Sequence, residues 1–389
     1  MASQSRASAT DVLREVEAIS ARFAEHRHDR QRRRELDPQD FAELAQAGFL
    51  LTGVAAEEGG LFESVPASTR AIAGILRALA RGDSSVALVS SMHPAVLSFW
   101  LASAEAPGEH REPWAQQRQE LGRRAADGAW FGTITSEPGS GGDIARTSTV
   151  AKATGESWLL TGQKHFGSGS GVTSFMLTSA RAADEEAPDW FVIDVAGVPW
   201  DGSQGMKLTA PWDGHGMTAT QSHGMAFEDF PATRFAWPGH WRLISETAGP
   251  FIGSVFTAVV MGIVDAAMQT ARQQLSRRAD TLVPYERVEW AHAEQEAWLM
   301  EQAFEGMLRA AESDAAPLRK VVLGKTAAAE LAESCLRRIT RIMGGGSYAR
   351  HSPFGFWFED VRALGYLRPP WNLAFDALLA SAWDSSEQV

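Results

Sequence analysis

The chain is poor in several things that would tie it to common protein classes. It has one cysteine, Cys335, so no intramolecular disulfide can form, and no Cys-rich metal site is expected. Basic residues are the minority. Thirty-six Lys and Arg stand against 48 Asp and Glu, a formal net charge of -12. That balance argues against nucleic acid as a partner, because phosphate binding depends on Lys and Arg displacing counterions. No apolar run of about eighteen residues is evident, which speaks against a transmembrane helix. Residues 1–11 lack the apolar stretch of a secretory signal, and Asp11, Glu15 and Glu17 do not suit a transit peptide. These absences give the expectation of a cytoplasmic protein with no membrane partner. Tyrosine is scarce, 3 against 14 Trp, which hints at large flat aromatic surfaces. No Gly-x-Gly-x-x-Gly follows a strand-like segment, so a dinucleotide site of the Rossmann kind is disfavoured.

What is present is enzyme-sized: 389 residues, 44% hydrophobic and 22% charged, too long for one ordinary core. Val12, Val16, Ile19 and Phe23 form one helical stripe. A second helix is punctuated by Asp37 as cap, Pro38 at its first position and Gly48 at its end. Helical patterns continue over 67–80 and 86–102, the latter bent at Pro94. Near Trp130 glycine becomes frequent and short apolar runs alternate with turns, at 158–160, 175–178, 190–193 and 225–227. This predicts an antiparallel β unit. Long helical patterns then return at 244–276, 286–313 and 318–343, ahead of a Gly344–Gly346 turn. A segregated helix–sheet–helix order is α+β, with units at 1–127, 128–240 and 241–389.

Four segments in order resemble the acyl-CoA dehydrogenase superfamily. Ala47-Gly48-Phe49 with Glu57-Glu58-Gly59-Gly60 looks like the family's "AGF … PEEYGG". Thr135-Ser136-Glu137-Pro138-Gly139-Ser140-Gly141-Gly142-Asp143 is similar to "TEPxAGSD", and Leu160 to Gly169 to "LNGxKxWITNG". Gly344-Gly345-Gly346-Ser347-Tyr348 through Asp360-Val361-Arg362 is similar to "GGxGY … RDAR". The resemblance implies a helical N-terminal domain, an antiparallel β-barrel and a C-terminal four-helix bundle. It also implies a flavin, FAD with FMN as the alternative. Phe166 would pack on the ring, Ser168 would place a hydroxyl near N5, and Thr135 and Ser136 would address the pyrimidine edge. Gly141 and Gly142 would let backbone N–H groups approach phosphate. Ser140 could make the phosphate contact that Gly142, where the family has Ser, cannot. Arg278, Gly344 and Gly345 complete the implied cofactor set, although the Phe-Gly that follows the family's Arg is absent after Arg278. The ordinary alternative for Phe166 is a core strand residue. For the serines it is a turn hydroxyl.

The catalytic base of the resembled family has no counterpart. The position of its glutamate falls on Arg368, which cannot act as a base, and the helix around 251–255 offers no carboxylate in its place. Three functions follow. The first is dehydrogenation of an acyl thioester with a relocated base. The second is reduced-flavin and dioxygen chemistry, a monooxygenase or oxidase acting on a small aromatic or heteroatom substrate. The third is a non-catalytic flavin-binding homologue. His93, in a segment that looks like the monooxygenase branch's "DSS … H", is a catalytic candidate; its ordinary alternative is a core histidine bonded to a helix carbonyl. Arg368 is a candidate for pairing with an anionic substrate, or else a surface Arg held out by Pro-Pro. His223 and His351 are weaker candidates, and Glu137 is expected to be structural. Expected partners are a small-molecule substrate, an electron-transfer or flavin-reductase protein, and further copies of the chain in a homodimer or homotetramer.

Overall fold

The computed structural model describes residues 8–103, 105–155 and 157–383; residues 1–7 of the stretch considered for a signal lie outside these. The N-terminal helices are α1 (Ala9–Glu25), α2 (Arg27–Arg30), α3 (Pro38–Gln46), α4 (Val65–Ala80), α5 (Ser84–Ala102) and α6 (Arg111–Ala126). The strands follow: β1 (Phe131–Thr133), β2 (Val150–Thr154), β3 (Ser157–Gly167), β4 (Phe175–Ala182), β5 (Pro188–Asp194), β6 (Met206–Ala210) and β7 (His223–Arg234). The C-terminal helices are α7 (Trp241–Ser276), α8 (Pro284–Ser313), α9 (Leu318–Met343), α10 (Pro353–Val361) and α11 (Trp371–Ala380).

Local chemistry sets the helix ends. The Asp37 carboxylate accepts from Gln39 N with Pro38 in the first turn, and Gly48 follows at φ 82°, the left-handed conformation that costs glycine least. Asp83 caps α5 through Val86 N. Helices α5 and α7 are apolar nearly all round and correspondingly buried. Both are long and apolar enough to cross a membrane, which corrects the expectation that no such segment exists; 89% of each apolar window is buried inside this fold.

The strands close on themselves. β4, β2, β3, β7 and β5 form a ring completed by the β4–β5 pairing, with β1 attached to β4 and β6 to β7. The expectation of an antiparallel barrel is corrected, because β1–β4 and β2–β4 run parallel and the sheet is mixed. Three long helices, not four, follow the barrel. The fourth place beside α7 and α8 is taken by α4 from the other end of the chain. Arg77 on α4 ties that crossing with paired bonds to Asp265 and Glu301. A Cβ at Gly262 would lie 2.2 Å from the Arg77 carbonyl, so the helices can meet this closely only at glycine. The N-terminal and C-terminal helices therefore share one hydrophobic core, built from α1, α4, α5, α7, α8 and α9. A second cluster, with Trp100, Trp114 and Ile244 against Leu177, Trp190 and Val192, joins α5, α6 and α7 to the barrel, and the barrel keeps a third of its own around Leu160, Phe191 and Phe227.

Candidate functional site

Beyond β1 the chain runs antiparallel to the end of β3, bridged at Thr133–Ser168 and Ser136–His165. The second bridge donates His165 N–H to the Ser136 carbonyl at 2.7 Å. This register sets Thr135 opposite Phe166 and makes four of the expected cofactor residues, Thr135, Ser136, Phe166 and Ser168, neighbours on paired backbone. Phe166 is the anomaly there. It has φ 60°, costly for a bulky residue, and its ring is 58% exposed, edge-on to Trp212 at 6.3 Å. Strain of this kind persists only where surrounding structure enforces it, and it clusters at functional sites. A strained backbone that holds an aromatic face out to solvent does not serve core packing.

Beside Phe166 runs a chain of hydroxyls whose direction can be deduced. Thr220 Oγ1 donates to the Met217 carbonyl at 2.9 Å, an oxygen that Trp212 Nε1 and Thr220 N also address, and with its proton so placed it accepts from Ser222 Oγ at 2.7 Å. Ser222, its proton spent, accepts from Ser168 Oγ at 2.7 Å. The buried Ser168 hydroxyl therefore sends its proton inward and offers lone pairs outward. The loop that supplies Ser222 and Thr220 carries two further strained residues, Met217 at φ 50° and Gln221 at φ 46°. It is held down by bonds from Met217 N to Asp360 and from Ala219 N to Ser85 Oγ. Asp360 is fully buried, accepts also from Ser84 Oγ, and is pushed up to about 6 by burial against the lowering effect of those two bonds.

On the other side of Thr135 lies Arg368. Its Nε and one Nη donate to Thr135 Oγ1 at 3.3 and 3.0 Å, and the other Nη donates to the Gly142 carbonyl at 2.6 Å. Among the described residues no carboxylate forms an ion pair with it; burial lowers it to about 10, with Asp143 acting the other way, so it remains a cation. Asn372 grips the Gly141 carbonyl at 3.3 Å. Gly142 stands where the resembled family has Ser, at φ 84° with a Cβ position 3.0 Å from Pro370, which explains the glycine.

Under the groove Lys164 and Glu137 form an ion pair at 2.6 Å, 0% and 2% exposed. Glu137 also accepts from Ser148 N and Oγ, Thr149 N and Thr147 Oγ1. Burial alone would raise its carboxyl, but the Lys164 ammonium and these donors outweigh that and hold it at about 2. Its role is structural, as the sequence suggested.

The remaining candidates are placed elsewhere. His93 is fully buried, with Nε2 on the Leu50 carbonyl at 2.9 Å and Nδ1 accepting Phe131 N–H at 3.3 Å. Burial pushes it down to about 4. With both nitrogens taken by main chain it is a core histidine, which corrects its candidacy as a catalytic residue. Ser140 closes its own turn, donating to the Glu137 carbonyl and accepting from Gly142 N. Arg278 pairs with Glu286 and the Ile342 carbonyl at the end of the helical bundle, away from the barrel groove of this chain. Gly344 and Gly345 are exposed in a 3-10 turn. His223 is buried and accepts from Trp212 N, and His351 is exposed. Sequence reasoning missed Trp212, Thr220 and Ser222. Their only signal was a glycine-rich polar stretch between β6 and β7.

A flat exposed aromatic, an adjacent hydroxyl, polar groups at Thr135 and Ser136 and a glycine loop fit a flavin ring and its tail. A family model for the middle domain of acyl-CoA dehydrogenases matches residues 132–230. The chain is 24% identical over 241 residues to 3-sulfinopropanoyl-CoA desulfinase of Advenella mimigardefordensis, covering 58% of this chain and 59% of that one. The chain spans about three fifths of the length of the first curated relatives it matches. Among solved structures, KijD3 in complex with FMN and a dTDP-linked amino sugar superposes with a TM-score of 0.81 at 20% identity, covering 98% of this chain and 94% of that one. FMN-bound TdsC from Paenibacillus sp. A11-2 superposes at 0.77 and 17%, covering 96% and 97%.

Proposed function

We propose that this chain, which has the acyl-CoA dehydrogenase fold and carries that family's middle domain at residues 132–230, binds a reduced flavin in the Phe166 groove and uses dioxygen to oxygenate or oxidise a small organic substrate. The direction of the hydroxyl chain carries this reading. Ser168 offers an acceptor outward because its proton is committed to Ser222. At N5, reduced flavin has an N–H and oxidised flavin a bare lone pair, so an acceptor beside the ring favours the reduced form. When bound, the reduced flavin would supply two electrons to dioxygen, one oxygen atom passing to the substrate and the other leaving as water.

The chain's own residues would bind and orient. Phe166 supplies the flat apolar partner, edge-on to Trp212. Ser136 and the Thr135 backbone would address the polar edge of the ring, and the Gly139–Gly142 turn would make room for the tail, which FMN and FAD share as far as the first phosphate. Ser168, oriented by Ser222 and Thr220, would offer its lone pair to the N–H of the reduced ring. Proton abstraction from an acyl thioester, the first sequence expectation, has no available base in the groups considered for it among the described residues. Arg368 stands at the expected place, Glu137 is locked to Lys164, and Asp360 is bonded to Ser84 and Met217. A separate flavin reductase is the partner this chemistry needs. Val283, Tyr285 and Val288 at the start of α8 are exposed, and they are the face a second copy of the chain would cover in a homodimer or homotetramer.

The test is an anaerobic titration of flavin-loaded protein with a panel of acyl-CoAs, followed by mixing the chemically reduced protein with dioxygen. The expected result is no bleaching by any thioester and rapid reoxidation by oxygen. Bleaching by a thioester without added reductant would overturn the proposal and restore the dehydrogenase.

A further inference from the structure

Arg368 is an arginine built into a wall without a counter-ion. Its fork carries five N–H protons, and three are spent on Thr135 Oγ1 and the Gly142 carbonyl. One proton on each Nη is left. Thr135 Oγ1 accepts two of the arginine's bonds, and among the described residues its own hydroxyl proton has no acceptor. The charges around the fork do not neutralise it. Lys164 is compensated by Glu137, and Asp143, which caps Ala145 N, attracts the fork from a distance without forming an ion pair with it. Thr135 stands opposite Phe166 across the bridged strands, so the residue that seats the arginine is the strand neighbour of the aromatic platform.

We propose that Arg368 and Thr135 form the anchor for a carboxylate carried by the substrate, held by the two remaining Nη protons with the Thr135 hydroxyl as a third donor. Two coplanar oxygens match a planar guanidinium fork, which recognises a carboxylate in bidentate fashion. The substrate class is therefore a small organic acid whose reacting part lies over the Phe166 ring. The inference rests on reading the Phe166 groove as the flavin platform, and it explains why an arginine, useless as a base, occupies that position.

Benzoate and its neutral isostere benzamide are the probes. Flavin binding is measured first, without either, by quenching of flavin fluorescence. Then each probe is titrated into flavin-loaded protein while the flavin absorption band and the unfolding temperature are followed. Benzoate is expected to bind at least about tenfold more tightly than benzamide, the loss typical when a charged hydrogen-bonded contact is removed. Arg368→Gln is expected to abolish that preference, and Thr135→Val, which keeps the charge and loses only the seat and third donor, to weaken it severalfold. Equal binding of benzoate and benzamide by the wild-type protein would overturn the proposal, whatever the variants do. So would an Arg368→Gln protein that keeps the preference but loses affinity for reduced flavin, since the arginine would then serve the cofactor. If no flavin binds, the platform reading fails by itself, and the same titrations on flavin-free protein, read by unfolding temperature, still decide whether Arg368 holds a carboxylate.

Discussion

Replacing Ser222 with alanine tests the hydroxyl chain directly. In the wild-type protein the Thr220 proton is fixed on the Met217 carbonyl, and Ser222 and Ser168 follow in sequence. Without Ser222 Oγ, Ser168 loses its inward acceptor and is free to turn its proton towards the groove. One contact then changes from favouring N5–H to favouring a bare N5. A neutral hydrogen bond contributes about 1 kcal/mol net, and the change both weakens the reduced complex and strengthens the oxidised one. The ratio of oxidised to reduced dissociation constants should fall about tenfold, or about 1.4 kcal/mol. For a two-electron couple that is about 30 mV, so the midpoint potential of the bound flavin should move down by about that much. Thr220→Val should act in the same direction, because Ser222 would then have only Ser168 to donate to. The assay is a spectroelectrochemical titration of the bound flavin in wild type, Ser222→Ala and Thr220→Val. A potential unchanged in both variants, with Ser168→Ala shifting it, would refute the deduced proton direction.

Three further outcomes follow from the geometry. Phe166→Gly relieves a φ of 60° at a side chain that is mostly exposed, so it should stabilise the fold by about 1 kcal/mol in urea unfolding while weakening flavin binding at least about tenfold; a variant that is destabilised would contradict the strain argument. Glu137→Gln leaves the Lys164 ammonium buried without its counter-ion and should cost about 3–5 kcal/mol, most of it recovered in the double variant with Lys164→Met. Glu137 is held at about 2, below its ordinary value, so its own titration leaves this cost unchanged until pH falls towards 2; burial lowers Lys164 to about 8 against the raising effect of Glu137, so without Glu137 it falls further and the cost should shrink as pH rises. His93 is held at about 4. The unfolded chain takes up a proton below about 6.5 while the fold resists it, so stability should fall by roughly 3 kcal/mol as pH drops from 6.5 to 4. His93→Gln should remove that slope, and a gap between wild type and variant that does not narrow with falling pH would count against it.

Much of the architecture was legible because its signals are local. Asp37-Pro38 and Gly48 bound α3 as their cap chemistry requires, and the long C-terminal patterns became α7, α8 and α9. What could not be read is what depends on distant partners. The parallel pairing of β1 with β4 joins segments some forty residues apart through a strand of three residues, too short for any periodicity. The sharing of one core by α4 and α7 is equally invisible along the chain. In the site, Phe166, Ser168, Thr135 and Ser136 were legible by motif, and the register of β1 against β3 does bring them together. His93 misled because a polar residue in an apolar helix attracts suspicion, and its partners, Leu50 and Phe131, lie in other elements. Ser222 and Thr220 escaped because the left-handed positions of their loop are Met217 and Gln221 and not its glycines, Gly214 and Gly216, so residue type does not mark where the chain turns.

The measurement that bears most directly on the account is a fluorescence titration of the purified protein with FMN and FAD, oxidised and reduced, in wild type and Phe166→Gly. Saturable binding by the wild-type protein is expected, tighter for the reduced form and lost when the Phe166 ring is removed. Folded wild-type protein that binds no flavin in either state, or binding that Phe166→Gly leaves intact, would contradict it.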